Sequence, residues 1–239
     1  MRNRAVIVGG TSGIGLATAR RLASHGHQVV ITGRDADKLD AALTELVAGV
    51  TGRTVDARDE TELAGFFAET GPIDHLVVTV TGPSGTTPFR ELGLDQVRQH
   101  IDGKLLAHTA AMQAALPHLA ENGSITLVSA ASAGGSMPAT AALAAVNSGV
   151  EAMVPVLAVE LAPLRVNAVS PGVIDTGWWN FLPDGARAEV FDSVAAATPA
   201  GRVGTADDVA HAIEFLIENS FTTGIVVRVD GGARLGAPK

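Results

Sequence analysis

The sequence predicts a doubly wound α/β fold, in which a parallel sheet of seven strands is covered by helices on both faces. Short runs rich in β-branched residues alternate with longer helical patterns along the 239 residues. A glycine-rich turn joins the first such run to the first helix, and both long irregular segments follow strands. No linker or repeat interrupts the pattern, so we expect one domain over residues 1–239.

Strands and helices are predicted in alternation, with irregular segments at 82–88 and 171–184. The strands are predicted at 5–8, 28–32, 51–55, 75–80, 124–128, 165–169 and 225–229, and the helices at 13–24, 37–47, 59–69, 94–119, 141–161 and 205–218. Asp59 and Thr205 are expected N-caps, because each has an acidic residue three positions later. The segment 94–119 is predicted as one long or broken helix.

Composition and charge exclude several classes of function. The net charge of −8 provides no basic field for a nucleic acid. The chain has no cysteine, which excludes disulfides, thiolate catalysis and Cys-ligated metal and favours a reducing, cytoplasmic location. We expect no metal site. The first apolar run is too short for a signal peptide, and the apolar stretch at 139–164 carries charged residues, so we predict a buried helix and no membrane partner.

The glycine-rich turn predicts a phosphate-binding loop. Glycine permits a tight turn and a close approach of the backbone to a pyrophosphate, and the N-terminus of the following helix attracts that anion. The alternative is a purely structural turn. The predicted contacts are Gly9, Thr11, Ser12, Gly13, Ile14 and Gly15.

The spacing G-x-x-x-G-x-G of this loop resembles the short-chain dehydrogenase/reductase family, and further motifs follow in the same order along nearly the whole chain. They are Asp56-Ala57, the strand 165–169, Ser170-Pro171-Gly172-Val173-Ile174-Asp175-Thr176, the segment 204–210 and the segment 223–232, whereas of the family's Asn-Asn-Ala-Gly after the fourth strand only Gly82 is present. The resemblance implies contacts of Asp56 and Ala57 with adenine. It implies that Pro171, Gly172, Ile174 and Thr176 hold the nicotinamide end of the cofactor, with Gly82 nearby.

The resemblance also implies a lid at about 175–204 and a homodimer or homotetramer. The subunits would associate through the helices at 94–119 and 141–161 and the C-terminal strand. Trp178 and Trp179 lie in the lid. They are predicted to wall an apolar pocket for a small-molecule substrate, or alternatively only to anchor the lid.

The end of the second strand points to NADP(H) as the cofactor. An NAD-binding protein would carry an acidic residue there for the ribose 2′-hydroxyl, whereas this chain carries Arg34, whose planar fork suits a 2′-phosphate. The alternative is NAD(H), with Arg34 solvated and Asp35 on the ribose. The glycine loop itself contains no basic residue.

The catalytic positions of the family hold other residues in this chain. Leu143 aligns with the family's tyrosine, Asn147 with its lysine, Ala130 with its serine and Lys104 with its asparagine, and the chain contains no tyrosine. Lys104 is the candidate acid, because a partly buried ammonium can titrate near neutrality. Asn147 is predicted to bond the nicotinamide ribose, and Ser129 to hold the substrate oxygen. Alternatively, Lys104 only bonds carbonyls at a helix kink and Ser129 only caps a strand.

Four functions are compatible with these observations. The favoured one is an NADP(H)-dependent oxidoreductase that transfers hydride to or from a small carbonyl or alcohol substrate with an atypical proton donor. The others are a non-redox enzyme such as a dehydratase or isomerase, a catalytically inactive dinucleotide-binding sensor or partner protein, and a scaffold that has lost its cofactor.

Overall fold

The fold is a parallel sheet of seven strands between two layers of helices, as the sequence predicts. The computed structural model describes residues 3–183 and 185–236, so position 184 of the predicted lid and both chain ends lie outside the described residues. The strands are β1 (Arg4–Val8), β2 (Gln28–Gly33), β3 (Thr51–Thr54), β4 (Ile73–Val78), β5 (Leu119–Val128), β6 (Arg165–Pro171), β7 (Ile174–Asp175), β8 (Gly204–Thr205) and β9 (Val226–Val229). The helices are α1 (Gly13–Ser24), α2 (Ala36–Glu45), α3 (Glu60–Thr70), α4 (Leu94–His100), α5 (Ala107–Ala115), α6 (Ala141–Glu160), α7 (Ala186–Ala197) and α8 (Ala206–Glu218).

The strand order places a ligand crevice at one edge of the sheet. The order is β3-β2-β1-β4-β5-β6-β9, and every pairing is parallel. The winding direction reverses between β1 and β4, and ligands bind beyond the carboxyl ends of the strands at such a point. The loops that follow β1, β4, β5 and β6 therefore surround the candidate site.

Alternating strand residues supply a separate apolar core on each face of the sheet. In β1, Val6 and Val8 pack toward the layer of α3, α5 and α6, while Ala5 and Ile7 pack toward α1, α2 and α8. Both cores are built mainly from aliphatic side chains. Their burial is the chief driving force for the fold, at about 25 cal/mol per Å² of apolar surface.

The helix α6 is less buried than the sequence analysis expects. Its Val146, Val150 and Val154 are buried against the sheet, but the opposite face carries Val156 and Val159, the latter 81% exposed. The helix has the length and composition of a membrane span. Within this fold it instead flanks the parallel sheet as a layer helix.

Several local features differ from the sequence-based assignment. Of the two alternatives for the segment 94–119, the broken helix is the one observed, since a π-helical stretch, Ile101–Leu106, joins α4 to α5. The region predicted as irregular after β6 contains β7, which pairs with β8, and α7 was not predicted. Asp59 and Thr205 are N-caps as predicted. The carboxylate of Glu62, however, accepts a bond from the Asp56 backbone N–H rather than from that of Asp59.

Candidate cofactor and active site

The glycine loop leaves no room for side chains at its closest contacts. A Cβ on Gly15 would lie 2.2 Å from the Gly9 carbonyl oxygen, and one on Gly10 would lie 2.7 Å from the Cβ of Ile31. Gly9 has a φ of +95°, in the left-handed region that favours glycine. The backbone of the loop is therefore folded tightly against the ends of β1 and β2.

The start of α1 is arranged to accept an anion. Ser12 is the N-cap residue, and within the described part of the chain its side chain makes no capping hydrogen bond. The N–H groups of the first turn thus keep their donor capacity for a ligand. Thr11 packs against Gly33 at the end of β2, and Ile14 packs on the core under α1.

The nicotinamide segment lies directly beside the glycine loop. A Cβ on Gly13 would approach the Cβ of Thr176 to 3.5 Å. Pro171 ends β6, and its carbonyl accepts a hydrogen bond of 2.7 Å from the backbone N–H of Ala131. Gly172 is pressed against Asp230, and Ile174 is buried in β7. The two segments that were predicted to hold the pyrophosphate and the nicotinamide end of one cofactor are thus brought together.

Thr79 anchors the glycine loop from the neighbouring strand. Its hydroxyl donates to the carbonyl oxygen of Gly9 at 2.9 Å. This contact is absent from the sequence-based set of site residues. A threonine directly after the fourth strand is the signal that could have suggested it.

Two guanidinium groups lie at the predicted adenine end. Arg34 is exposed after β2, while the carboxylate of Asp35 caps α2. Arg58 donates from Nε to both oxygens of Asp56, at 3.0 and 3.1 Å, and this hydrogen bonding lowers the pKa of Asp56. Ala57 is buried. Arg58 was missed from the sequence, although it follows Asp56 by only two positions.

Lys104 is buried at the carboxyl end of β5. It lies in the π-helical stretch and is 4% exposed, and its Nζ donates to the carbonyl oxygen of Val128 at 2.6 Å. Burial lowers the pKa of this ammonium from 10.5 to about 7. The carbonyl belongs to the sheet rather than to the helix itself. Insertions of π-helix are frequent at functional sites.

His108 supports this region from the core. It is fully buried, and its Nε2 donates to the Val80 carbonyl oxygen at 3.0 Å. Burial above all, and then the nearby Lys104, lowers the pKa of His108 well below its ordinary value. Gly82 packs tightly on the π-helical stretch, because a Cβ on Gly103 would lie 2.7 Å from its Cα. These contacts fix the loop after β4 against Lys104.

Asn147 presents a buried acceptor with no partner among residues 3–183 and 185–236. Its Nδ2 donates to the Ser132 hydroxyl at 3.1 Å and to the Leu143 carbonyl at 2.9 Å, while its Oδ1 has no hydrogen bond there. Buried acceptors are normally satisfied. A sugar hydroxyl is a suitable donor, so this atom, with the glycine cradle, fits a nicotinamide dinucleotide.

Ser129, the first residue of the loop after β5, is held by a carboxylate of α6. Its hydroxyl donates to Glu151 at 2.8 Å, and the same carboxylate accepts bonds from the Ser170 hydroxyl at 2.7 Å and from Arg228 at 3.0 Å. No sequence pattern singled out Glu151 or Arg228. They join α6 to β9 beneath the predicted nicotinamide segment.

The two tryptophans form an aromatic cluster at the start of the lid. The rings of Trp178 and Trp179 are 4.8 Å apart, and both contact Phe181. Trp179 donates from Nε1 to the Ile174 carbonyl at 3.0 Å and lines a cavity of about 460 Å³ together with Phe191. The cluster therefore fixes the start of the predicted lid segment to Ile174 and borders a cavity.

The fold and the arrangement of this site are those expected of a dinucleotide-binding protein. A glycine cradle, an unsatisfied acceptor for a sugar and a buried ammonium converge at the switch point of a doubly wound sheet.

Comparison with known proteins identifies the family. A family model described as enoyl-(acyl carrier protein) reductase matches residues 8–234. A cis-4-hydroxycyclohexanecarboxylate dehydrogenase of Sinomonas cyclohexanicum is 34% identical over an alignment of 240 positions, which covers 95% of each chain. A (2S)-[(R)-hydroxy(phenyl)methyl]succinyl-CoA dehydrogenase subunit of Thauera aromatica is 33% identical over an alignment of 254 positions, which covers 99% of each chain. The crystal structure of a small-chain dehydrogenase in complex with NADPH superposes with a TM-score of 0.86 at 32% identity, covering 99% of this chain and 100% of the other. The chain belongs to the short-chain dehydrogenase/reductase family.

Proposed function

We propose that the protein is an NADP(H)-dependent oxidoreductase that interconverts a small ketone and its alcohol, with Lys104 as the proton donor. The bound nicotinamide would supply or accept the hydride. In reduction, the Lys104 ammonium gives a proton to the substrate oxygen and becomes a neutral amine, which solvent then reprotonates. The observation that carries this proposal is the buried Lys104, whose burial lowers its pKa to about 7, in a chain without tyrosine.

The neighbourhood of Lys104 favours a proton donor over a structural lysine. Its Nζ makes one protein hydrogen bond in the described part of the chain, to Val128, although an ammonium carries three donors. The partly filled hydrogen-bonding capacity of this buried group can be completed by a substrate oxygen or a water. The Val128 carbonyl that it bonds ends β5, and the loop that follows contains Ser132, whose hydroxyl accepts a hydrogen bond from Asn147, where the ribose is proposed to bind.

The choice of NADP(H) is supported by the charges beyond β2. Arg34 is exposed, Asp35 is engaged as the cap of α2, and Arg58 supplies a second guanidinium beside Asp56. Arg58 thus provides a second positive charge near the predicted adenine end, whereas the glycine loop contains no basic residue. A 2′-phosphate carries the complementary charge and geometry for such groups.

Replacing Arg34 by alanine is expected to weaken NADPH binding by about 10- to 100-fold, the usual effect of losing a hydrogen bond to a charged group. The affinity for NADH should not change, because NADH has no phosphate at this position. Quenching of Trp178 and Trp179 fluorescence measures both affinities. Arg98→Ala on α4 removes the same charge elsewhere and serves as the control. Equal losses for both cofactors would contradict the role of Arg34.

The relatives suggest which ketones to test. Their names describe alcohols on a ring that bears a carboxylate and on a carbon next to a phenyl group. The aromatic cluster around Trp179 offers an apolar surface for such rings. We therefore propose alicyclic and aromatic ketones with an acidic or thioester group as the substrate class.

The decisive test measures NADPH oxidation with 4-oxocyclohexanecarboxylate and with an aromatic β-keto thioester, classes taken from these relatives. Turnover of either ketone supports the proposal. Saturable NADPH binding without turnover of any ketone would instead support the inactive dinucleotide-binding sensor. Failure to bind either dinucleotide would overturn both functions and leave a bare scaffold.

The protein is further proposed to be a cytoplasmic homodimer or homotetramer that buries the exposed face of α6. Val156 and Val159 lie on that face, and the exposed Leu106 lies on the neighbouring π-helical stretch. Exposed apolar side chains that cluster in this way mark association surfaces.

Val159→Glu is expected to convert the oligomer to a smaller species in light scattering coupled to gel filtration. Burying an unpaired carboxylate at a subunit interface costs several kcal/mol, which corresponds to a dissociation constant raised by at least about 100-fold. Val47→Glu, at an exposed valine near the end of α2, is the matched control. An unchanged mass for the Val159 variant would exclude this face as the interface.

A further inference from the structure

The loop after β5 is held by hydrogen bonds at alternate residues on either side of Ser132. The backbone N–H of Ser129 donates to Val169 at 2.9 Å, and that of Ala131 donates to Pro171 at 2.7 Å. Arg228 donates to the carbonyl of Ala133 at 3.4 Å. Ser132 lies between these fixed points, half-buried.

The two serines, Ser129 and Ser132, differ in whether the hydroxyl proton is already used in a hydrogen bond. A serine hydroxyl has one proton to donate and two lone pairs that accept. Ser129 directs its proton to Glu151 and Val169, both of which are acceptors. Ser132 accepts a hydrogen bond from the Asn147 amide, which leaves its own proton available. No acceptor for that proton is found among residues 3–183 and 185–236.

Ser132 and the proton donor are attached to the same short segment. Lys104 bonds the carbonyl of Val128, at the end of β5, and Ser132 follows four positions later. Asn147 connects Ser132 to α6 and is itself 4% exposed. A buried amide on a helix restricts the direction of the hydroxyl it bonds.

We infer that Ser132, and not Ser129, donates the hydrogen bond that holds the substrate oxygen, and that Asn147 positions its hydroxyl. The inference rests on the proposed function and refines it. In reduction, the hydride makes the carbonyl oxygen negative, and Ser132 stabilises that charge while Lys104 delivers the proton. A hydrogen bond aimed at the developing oxyanion acts mainly on the transition state.

Ser132→Ala and Ser129→Ala form a matched pair of variants for the test. Removing Ser132 should lower kcat for ketone reduction by about 100-fold or more, the usual effect of losing one oxyanion donor. NADPH affinity should not change, and Ser132→Thr should restore most of the rate. Ser129→Ala should lower kcat far less than Ser132→Ala does, because it removes a bond to Glu151 rather than the substrate contact. In a double-mutant cycle, Asn147→Ala should cost less once Ser132 is absent, because the two act as a unit.

A second readout does not depend on turnover. The infrared stretching frequency of the ketone carbonyl in 4-oxocyclohexanecarboxylate, bound with NADP⁺, should be lowered by a hydrogen bond from the protein. This lowering should be reduced in Ser132→Ala and kept in Ser129→Ala.

Two outcomes would overturn this inference and leave the proposed function standing. In both, the wild type reduces a ketone, and either Ser132→Ala is fully active or Ser129→Ala shows the large loss. A wild type that binds NADPH but reduces neither ketone would overturn both the inference and the proposed function.

Discussion

We expect the substitution Lys104→Met to lower kcat for ketone reduction by about 100- to 10,000-fold, the range of general acid catalysis by a positioned side chain. Methionine fills nearly the same buried volume but carries no proton. NADPH affinity should be kept, because Lys104 bonds Val128 and not the glycine loop. Stopped-flow measurement of NADPH oxidation gives the rate, and tryptophan quenching gives the affinity.

The pH dependence of the wild type should show the same group. Reduction requires the ammonium, so kcat for reduction should fall as the pH rises above about 7. Alcohol oxidation requires the neutral amine, so kcat for oxidation should rise over the same range.

The same group should make the stability of the protein depend on pH. The pKa of Lys104 is lower in the folded than in the unfolded protein, so the unfolded chain binds more protons above pH 7. The unfolding free energy should therefore gain up to about 1.4 kcal/mol per pH unit from this group as the pH rises toward 10. The Lys104→Met variant should lack that gain.

Lys38→Met is the control, since Lys38 is exposed on α2. It should keep both the rate and the pH profile. A Lys104→Met variant as active as the wild type would show that Lys104 is only a structural partner of Val128. The simpler interpretation raised by the sequence, a lysine that bonds carbonyls, would then hold.

Gly15→Ala is expected to weaken NADPH binding by at least about 100-fold, because the pyrophosphate site depends on close backbone approach. The new Cβ would lie 2.2 Å from the Gly9 carbonyl oxygen, so the start of α1 must move away from the loop. Neither partner in this contact is a flexible side chain that could rotate away. Isothermal titration calorimetry measures the loss.

Gly65→Ala is the matched glycine substitution outside the site. Gly65 lies within α3, and a Cβ there meets no atom within 4 Å. This variant should bind NADPH normally, and its unfolding free energy should increase by up to about 1 kcal/mol, since alanine favours helix more than glycine does. Normal NADPH affinity in Gly15→Ala would contradict the placement of the cofactor on this loop.

The sequence predicts the fold well because each strand is a local signal. Runs such as Val6–Val8 are buried on both faces in the parallel sheet, and their β-branched composition is visible without tertiary information. The π-helical stretch around Lys104 was not predicted in detail, since it depends on the close packing of Gly103 on Gly82. Such contacts join residues that local periodicity does not relate.

The site is predicted in part for the same reason. The phosphate-binding role of the glycine loop is predicted from glycines that are close together in the sequence. Arg34 is predicted as a cofactor contact because it lies directly after the second strand. Ser129 and Ser132, by contrast, look equivalent in the sequence, and only Glu151 and Asn147 distinguish their protons. Glu151 in turn pairs with Arg228, 77 positions away, so no window along the chain contains the pair.

The bond between Glu151 and Arg228 makes the order of synthesis matter. On the ribosome, the phosphate loop and its supporting strands emerge early and can begin to fold first. The contact beneath the predicted nicotinamide segment cannot form until Arg228 has been synthesised, because Arg228 lies in the last strand of the sheet and bonds both Ser170 and Glu151. The crevice can therefore be completed only when nearly the whole chain has been made. Tight capture of an intact dinucleotide would then report that translation has passed this arginine.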